Sequence, residues 1–443
     1  LMDILLPKAC VAPTQAKTAP SQSLAIALGH CIEQVPTPES VQALRSALGL
    51  VRHASIQKKL ARNLKPAERG LAQRPEIALR LAPTSTPGKA QHGLLASCLE
   101  SGLWQAFELS FSDWRAQLAD SAVGSPFARS LVWVAHCTDG QRRSFLLDAN
   151  AQALDSRGQP LSLDAGCRIS LWHPLSANAA ERHAWQALIS ERRIKQPLRQ
   201  VFREYYLPSQ QELESHTCQA FAGYSLSIRP LIGLARREGW KIDRDSGLSR
   251  NLGDIRVSFA VDAALYPGLQ GHCLSGSASF ARRTDKHWQP MLLQDVPPQV
   301  FSEACRAIDL LVNVSSFAIE ELAQSASGQP LPQMPAARRE QRLNLLAGHN
   351  LTQMALMRQH VLGRAFAPLI EQGVLSMEGR HARIGDHAVH LVTGRVTRDG
   401  EPVEMALAAQ SGKLTAVPWL PYDEVLLERI ANTVCALLNR SGH

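Results

Sequence analysis

A chain of 443 residues exceeds the usual size of a single hydrophobic core, so two or three packed units are expected. Its 45% apolar and 19% charged residues exclude a disordered polymer, and no run of 18 apolar residues offers a transmembrane helix. The net charge of +8 permits attraction to nucleic acid or acidic partners without specifying either.

Leu1 to Leu6 is apolar but lacks a basic leader and runs into Pro7 and Lys8, unlike a signal peptide, so the cytoplasm is the expected compartment. Leu1 in place of Met points to a start at Met2 or to upstream domains of a longer chain. Nine cysteines without a CxxC disfavour a disulfide scaffold or zinc ribbon and suit a reducing compartment.

From Leu1 to Gly93, short helical patterns such as Ser40 to Leu50 are separated by prolines, and Pro83 to Gly88 reads as a linker. Leu94 to Phe107 and Phe127 to His136 are expected to be helical, with Trp104, Trp114 and Trp133 in the core. Turns at Asp139-Gly140 and Arg157-Gly158, with strands at Ser144 to Leu147 and Arg168 to Trp172, predict a small meander. Ala180 to Ile194 and Pro197 to about Tyr206 read as an α-hairpin. A helix over Ser225 to Glu238 precedes strands at Trp240 to Ile242, Ile255 to Val261 and Ser275 to Ala281, then a helix over Gln299 to Val312. The last third predicts a long helix from Arg338 to Leu362, paired strands at Ala388 to Val396 and Val403 to Ala408, and a closing helix from Asp423 to Leu438. The expected fold class is α+β: an N-terminal helical region (1–93), a central mixed unit (94–330), and a C-terminal unit (331–443) pairing a helix with a small antiparallel sheet.

Lys195, Arg199 and Arg203 stand at i, i+4, i+8 of the expected second hairpin helix, opposite Ile194, Leu198, Val201 and Phe202. Such a stripe can hold an anion or simply be a solvated face. Arg203 is its sharpest member, because a guanidinium grips phosphate or carboxylate with two parallel bonds, and Gln196 and Gln200 add donors. Glu204 could orient Arg203 or form an ordinary surface pair. His173, before Pro174, is either a general base or a structural cap. His387 and His390 are oddly spaced in a strand and would face opposite sides, so no metal site is expected with His381. His390 reads instead as a sheet residue bonded to a neighbour. Gly223 to Ser227 misses GxSxG at its last position and suggests Ser225 as an N-cap. No P-loop and no GxGxxG is present, so no nucleotide cofactor is implied.

From about Leu95 to Leu438 the chain carries, in order, Leu171-Trp172-His173-Pro174-Leu175, Trp185, Ile194-Lys195-Gln196-Pro197, Gln200 to Glu204, Phe221-Ala222-Gly223 and Glu238-Gly239-Trp240. Phe301 to Leu310, Val389 to Gly394 and Leu420-Pro421-Tyr422-Asp423 follow. In this colinear order it resembles the family called domain of unknown function 4132, a bacterial-type family, with its usual C-terminal companion domain. Members often sit behind a WGR module and carry the label of molybdate metabolism regulator, so the resemblance implies at most a loose link to nucleic acid or regulation and no chemistry. This chain has no Trp-Gly-Arg tripeptide. The expected function is a non-catalytic interaction or regulatory module with a protein partner or acidic ligand. One alternative is an enzyme for a phosphorylated or acidic small molecule, using Arg203 as clamp and His173 or Glu204 as acid or base. The other is association with nucleic acid through a basic surface.

Overall fold

Hydroxyls placed before apolar repeats start the first helices. Ser21 accepts from the Leu24 N–H, and Thr37 and Ser40 cap one another reciprocally, at 2.9 and 3.2 Å, with Pro38 in the first turn. A computed structural model describes residues 1–79, 89–105, 107–243, 247–263, 265, 271–285, 287–325, 353–379, 381–391, 394–399, 401–403, 418–422 and 424–440. The expected linker at Pro83 to Gly88 lies outside them. The architecture is α+β, divided into Leu1–Val201 and Phe202–His443.

The first unit begins with α1 (Met2–Cys10), α2 (Gln22–Gln34), α3 (Pro38–Leu50), α4 (Ala54–Ala72), α5 (Pro75–Ala78) and α6 (Lys89–Gly102). Leu6, Ile32, Leu44, Leu60 and Leu71 are fully buried among these helices, each contributing about 1.5–3 kcal/mol by leaving water. Helix α6 serves two cores. Leu94 and Cys98 join the helical layer, while Leu95 and Leu99, with Leu103 just past the helix end, join the next one.

That second core is covered by β1 (Leu109–Ser110), α7 (Phe111–Trp114), α8 (Ser125–Ser130), β2 (Trp133–His136), β3 (Arg142–Leu147), β4 (Ala153–Leu154) and β5 (Arg168–Leu171), and α9 (Ala179–Glu191) follows in the chain. The strands form one antiparallel sheet in the order β1-β5-β2-β3-β4. Trp114 packs edge-on against Trp133 and Phe145, both at 5.5 Å between ring centres. The helix expected over Phe127 to His136 stops at Ser130. Trp133 to His136 is a central strand paired on both sides, a position suited to its Trp-Val run.

The hairpin turns share one geometry. In Cys137–Gln141, Asp148–Gln152 and Asp155–Gln159, the first N–H donates to the fifth carbonyl and the fourth N–H donates back to the first carbonyl. The fourth residue adopts the left-handed conformation: Gly140 at φ 77°, Ala151 at 59° and Gly158 at 76°. Asp148 and Asp155 each accept two further backbone N–H bonds on one carboxylate oxygen, at 2.8–2.9 Å.

The second unit holds β6 (Thr217–Cys218), β7 (Ser225–Ser227), α10 (Ile228–Arg237), β8 (Lys241–Asp243), β9 (Gly247–Leu252), β10 (Ile255–Val261), β11 (His272–Arg283), β12 (Trp288–Pro290) and α11 (Pro298–Ser325). Strand β11 pairs with β6, β7, β10 and β12 along its length, and the path continues from β10 to β9 and β8. Ser225 stands in β7, buried against β11, so it does not cap the following helix. Gly247 opens β9 at φ 92°, where a Cβ would meet the Phe259 carbonyl at 2.4 Å. Helix α11 packs on β7, β10 and α10, with Phe301 5.5 Å from Phe280.

Then come α12 (Gln353–Ala365), α13 (Ala367–Glu371), β13 (Ser376–Glu378), β14 (His381–Ile384), β15 (His387–His390), β16 (Val396–Arg398), β17 (Glu401–Val403) and α14 (Val425–Arg440). The five strands form a meander in chain order, and α14 packs Leu427, Ile430, Val434 and Leu438 into the interior beside β14 and β15. Residues 338–352 of the expected long helix and 404–408 of the expected last strand lie outside the described residues. No described helix is long and apolar enough to cross a membrane.

Trp114→Ala should lower unfolding free energy by about 3–5 kcal/mol in urea, through lost burial plus a cavity, whereas Val425→Ala, at a side chain 85% exposed, should change it by less than about 0.5.

Candidate functional site

The segment expected to be a basic helix is irregular. Helix α9 ends at Glu191, Arg193 turns to φ 51°, and residues 194–207 form no helix. The side chain of Gln196 accepts from the Val201 N–H at 2.9 Å, closing by amide the turn that a helix would close by backbone. Lys195 therefore projects to solvent, Arg199 is half-buried and Arg203 is buried, with no common helical stripe.

Within the first unit, Gln200 is fully buried and acts as a short strand. Its Oε1 accepts from Val132 N–H at 2.8 Å, while its Nε2 donates to the Val132 and Trp172 carbonyls at 2.7 and 2.9 Å. Gln196 donates to Ser130 O and to Gln200 Oε1. The two amides expected as ligand donors thus satisfy backbone groups at the mouth of β2 and β5, which buried backbone requires. His173 is buried as well. Its Nδ1 accepts from Leu175 N–H at 3.1 Å, capping the short turn Pro174–Ser176. That bond places the ring proton on Nε2 in the neutral tautomer.

In the second unit, the stretch after Phe202 meets the polar side of α11. Arg203, 1% exposed, donates through Nε and Nη2 to both oxygens of Glu303, each at 2.6 Å. The adjacent Glu204, equally buried, accepts from Arg306 Nε at 3.0 Å. Tyr206 donates its hydroxyl to Asp309 at 2.5 Å and its backbone N–H to Ser302. Asn313 donates to the other oxygen of Asp309, and Arg358 on α12 pairs with Glu424 and donates to the Leu391 carbonyl. Glu303, Arg306, Asp309 and Asn313 recur every three or four residues, so one face of α11 carries a ladder of partners for residues 203–206. His390 lies in β15 directly opposite His381, their rings 5.0 Å apart and edge-on, while His387 pairs with Asp386.

Burial, more than any neighbour, pushes the Asp309 carboxyl up to about 6, and Glu204 adds to it against the opposing Tyr206 hydrogen bond and Met354 N–H. Burial and the charges of Asp309 and Glu204 raise Tyr206 well above the usual phenol value. Chemically the ladder holds one buried ion pair, Arg203–Glu303, one half-buried pair, Glu204–Arg306, and one acid that changes charge near neutrality. The guanidinium that could clamp an incoming anion already grips an internal carboxylate in bidentate geometry.

The sequence reading assigned no role to the α11 partners, although Glu303, Arg306 and Asp309 interrupt an apolar helix at intervals of three. It also left out α4, where Lys58, Arg62, Lys65 and Arg69 follow 4-3-4 spacing on an exposed face.

Removing one member of the buried pair, in Arg203→Ala, should cost about 3–5 kcal/mol in denaturant unfolding, and Arg203→Met with Glu303→Leu should recover most of it. The raised Asp309 carboxyl adds stability below its unfolded value of 3.8 that is lost as pH climbs through about 6. Asp309→Asn should therefore gain about 2 kcal/mol on the wild type between pH 4 and pH 7. A stability difference that does not change over that range would remove Asp309 as the titrating group.

Residues 69–240 match the family described as Domain of unknown function (DUF4132). Uncharacterized protein YehI of Escherichia coli (strain K12) is 24% identical over 186 residues, which are 41% of this chain and 15% of that protein. The chain thus spans a small part of the length of the curated relative it matches. No solved structure matches. The family match starts near the end of α4, takes in the first sheet, α9 and the Gln200 and Arg203 positions, and ends at Trp240, so over this stretch the chain is similar to DUF4132 proteins.

Proposed function

We propose that the chain is a non-catalytic interaction module, regulatory in role, that meets an acidic partner through the exposed basic face of α4. The carrying observation is the row Lys58, Arg62, Lys65 and Arg69, all exposed, with Lys59 beside it. The row spans about 16 Å of helix. None of these cations forms an ion pair among the described residues, while Glu68 on the same helix is held by Arg45 at 2.8 Å. A field of one sign at the surface steers an oppositely charged partner and fixes its register. The internal pairing of Arg203 and Glu204 supports this reading over an enzyme of phosphorylated small molecules, because those side chains spend their charge on α11. The reading keeps the chain in the cytoplasm, a compartment that suits nine cysteines with no CxxC pattern.

Lys58→Glu/Arg62→Glu/Lys65→Glu should weaken binding to a labelled polyglutamate peptide by about tenfold or more at 50 mM salt. Equal affinity of wild type and variant would sink the proposal. Preferential binding of a 20-base-pair duplex, with affinity falling steeply as salt rises, would transfer the same face to nucleic acid. A thermal shift with a sugar phosphate that disappears in Arg203→Lys would favour the enzyme reading instead.

A further inference from the structure

We infer that Cys137 and Cys167 form a dithiol site, converted to an intramolecular disulfide by exchange with a small-molecule disulfide. Strands β2 and β5 pair from Trp133 opposite Leu171 to His136 opposite Arg168, so the next position sets Cys137 directly across from Cys167. Neither residue's backbone bonds to the other. Cys137 N–H goes to Gln141 O and its carbonyl accepts from Gly140, while Cys167 N–H goes to Asp164 O and its carbonyl accepts from Phe111. A non-hydrogen-bonded antiparallel pair has Cα atoms about 4.5 Å apart, inside the range that a disulfide spans. The sulfurs themselves are 3.1 Å apart, with the Cys167 thiol donating to Cys137, so closure to a bond of about 2.05 Å needs roughly 1 Å of movement.

The turn supplies a second, independent observation. Cys137 occupies the first position of the geometry that Asp148 and Asp155 occupy in the two sister turns. There the aspartate accepts two backbone N–H bonds, which a thiol cannot match; in the Cys137 turn Gln141 N–H is taken by Asp139 instead. The cysteine forgoes the best turn chemistry at that position and faces its partner sulfur.

Exposure assigns the order of events. Cys137 is half-buried and Cys167 is 1% exposed, so an external reagent reaches Cys137 first. The Cys137 thiolate attacks a disulfide RSSR, forming Cys137–SR and expelling one RS⁻. Cys167, having lost its proton to solvent, then attacks the Cys137 sulfur and expels the second RS⁻. Two protein thiols are oxidised and one RSSR is reduced to two RSH. Burial first, and Cys167 second, hold the Cys137 thiol up at about 11, so the first step is slow at neutral pH and the pair suits sustained rather than momentary oxidation.

The test incubates the full chain with oxidised glutathione at pH 8 and maps its peptides without reduction. The expected result is a fall from nine free thiols to seven and one Cys137–Cys167 cross-linked peptide. Tm should rise by about 5–10 °C, because the bond closes a 30-residue stretch, and the rise should vanish with dithiothreitol. In Cys167→Ala, Cys137 should stop at the glutathione adduct with no rise. A stable Cys137 adduct in the wild type, a Cys137 bridge between two chains, or reaction at Cys31 with Cys137 untouched would each overturn the inference. The wild-type map decides the matter even if the variant fails to fold.

Discussion

A charge removed from water must be answered where it stands, and the second unit is arranged around that requirement. Arg203 and Glu204 are adjacent in sequence, opposite in sign and both buried, so each needs its own counter-charge on the same side of the chain. Helix α11 provides them one turn apart in reversed order, Glu303 then Arg306. That pairing fixes the register of residues 203–206 on the helix. Sliding the strand by one residue would set like charges together, a far greater penalty than misplacing an apolar side chain.

The first unit meets the same backbone and burial demands with neutral groups. Gln200 bonds to both the N–H and the C=O of Val132, as a neighbouring strand would, and so completes the sheet where β2 and β5 begin to part. His173 and Gln196 cap their local turns in the same manner. Three residues whose types suggest chemistry are therefore occupied with the hydrogen bonds of irregular backbone.

What the sequence made legible was whatever is encoded by nearest neighbours. Strand β10 alternates buried Ile255, Val257 and Phe259 with half-buried Arg256 and Ser258, and its period of two identifies it without further information. The glycines of the Asp139-Gly140 and Arg157-Gly158 turns were equally plain. The segment 195–206 misled because Lys195, Arg199 and Arg203 have true helical spacing, while the groups that override the helix lie far away: Val132 is 68 residues from Gln200, and Glu303 is 100 from Arg203. Ser225 was misread for a related reason, since its pairing partner Leu274 belongs to a strand formed much later. On α4, by contrast, the basic face is a local pattern, and it was simply passed over.

The three sister turns also hold a record of tolerance. Two use glycine at the position that demands a left-handed backbone, and the third seats Ala151 there with its methyl group against the preferred geometry. A chain that keeps such a residue is not tuned to its stability ceiling: selection has had no need of the small gain that deleting one methyl would bring. For anyone rebuilding this scaffold, that turn is a reserve of robustness on the surface, reachable without disturbing either the amide joint or the charged face of α11.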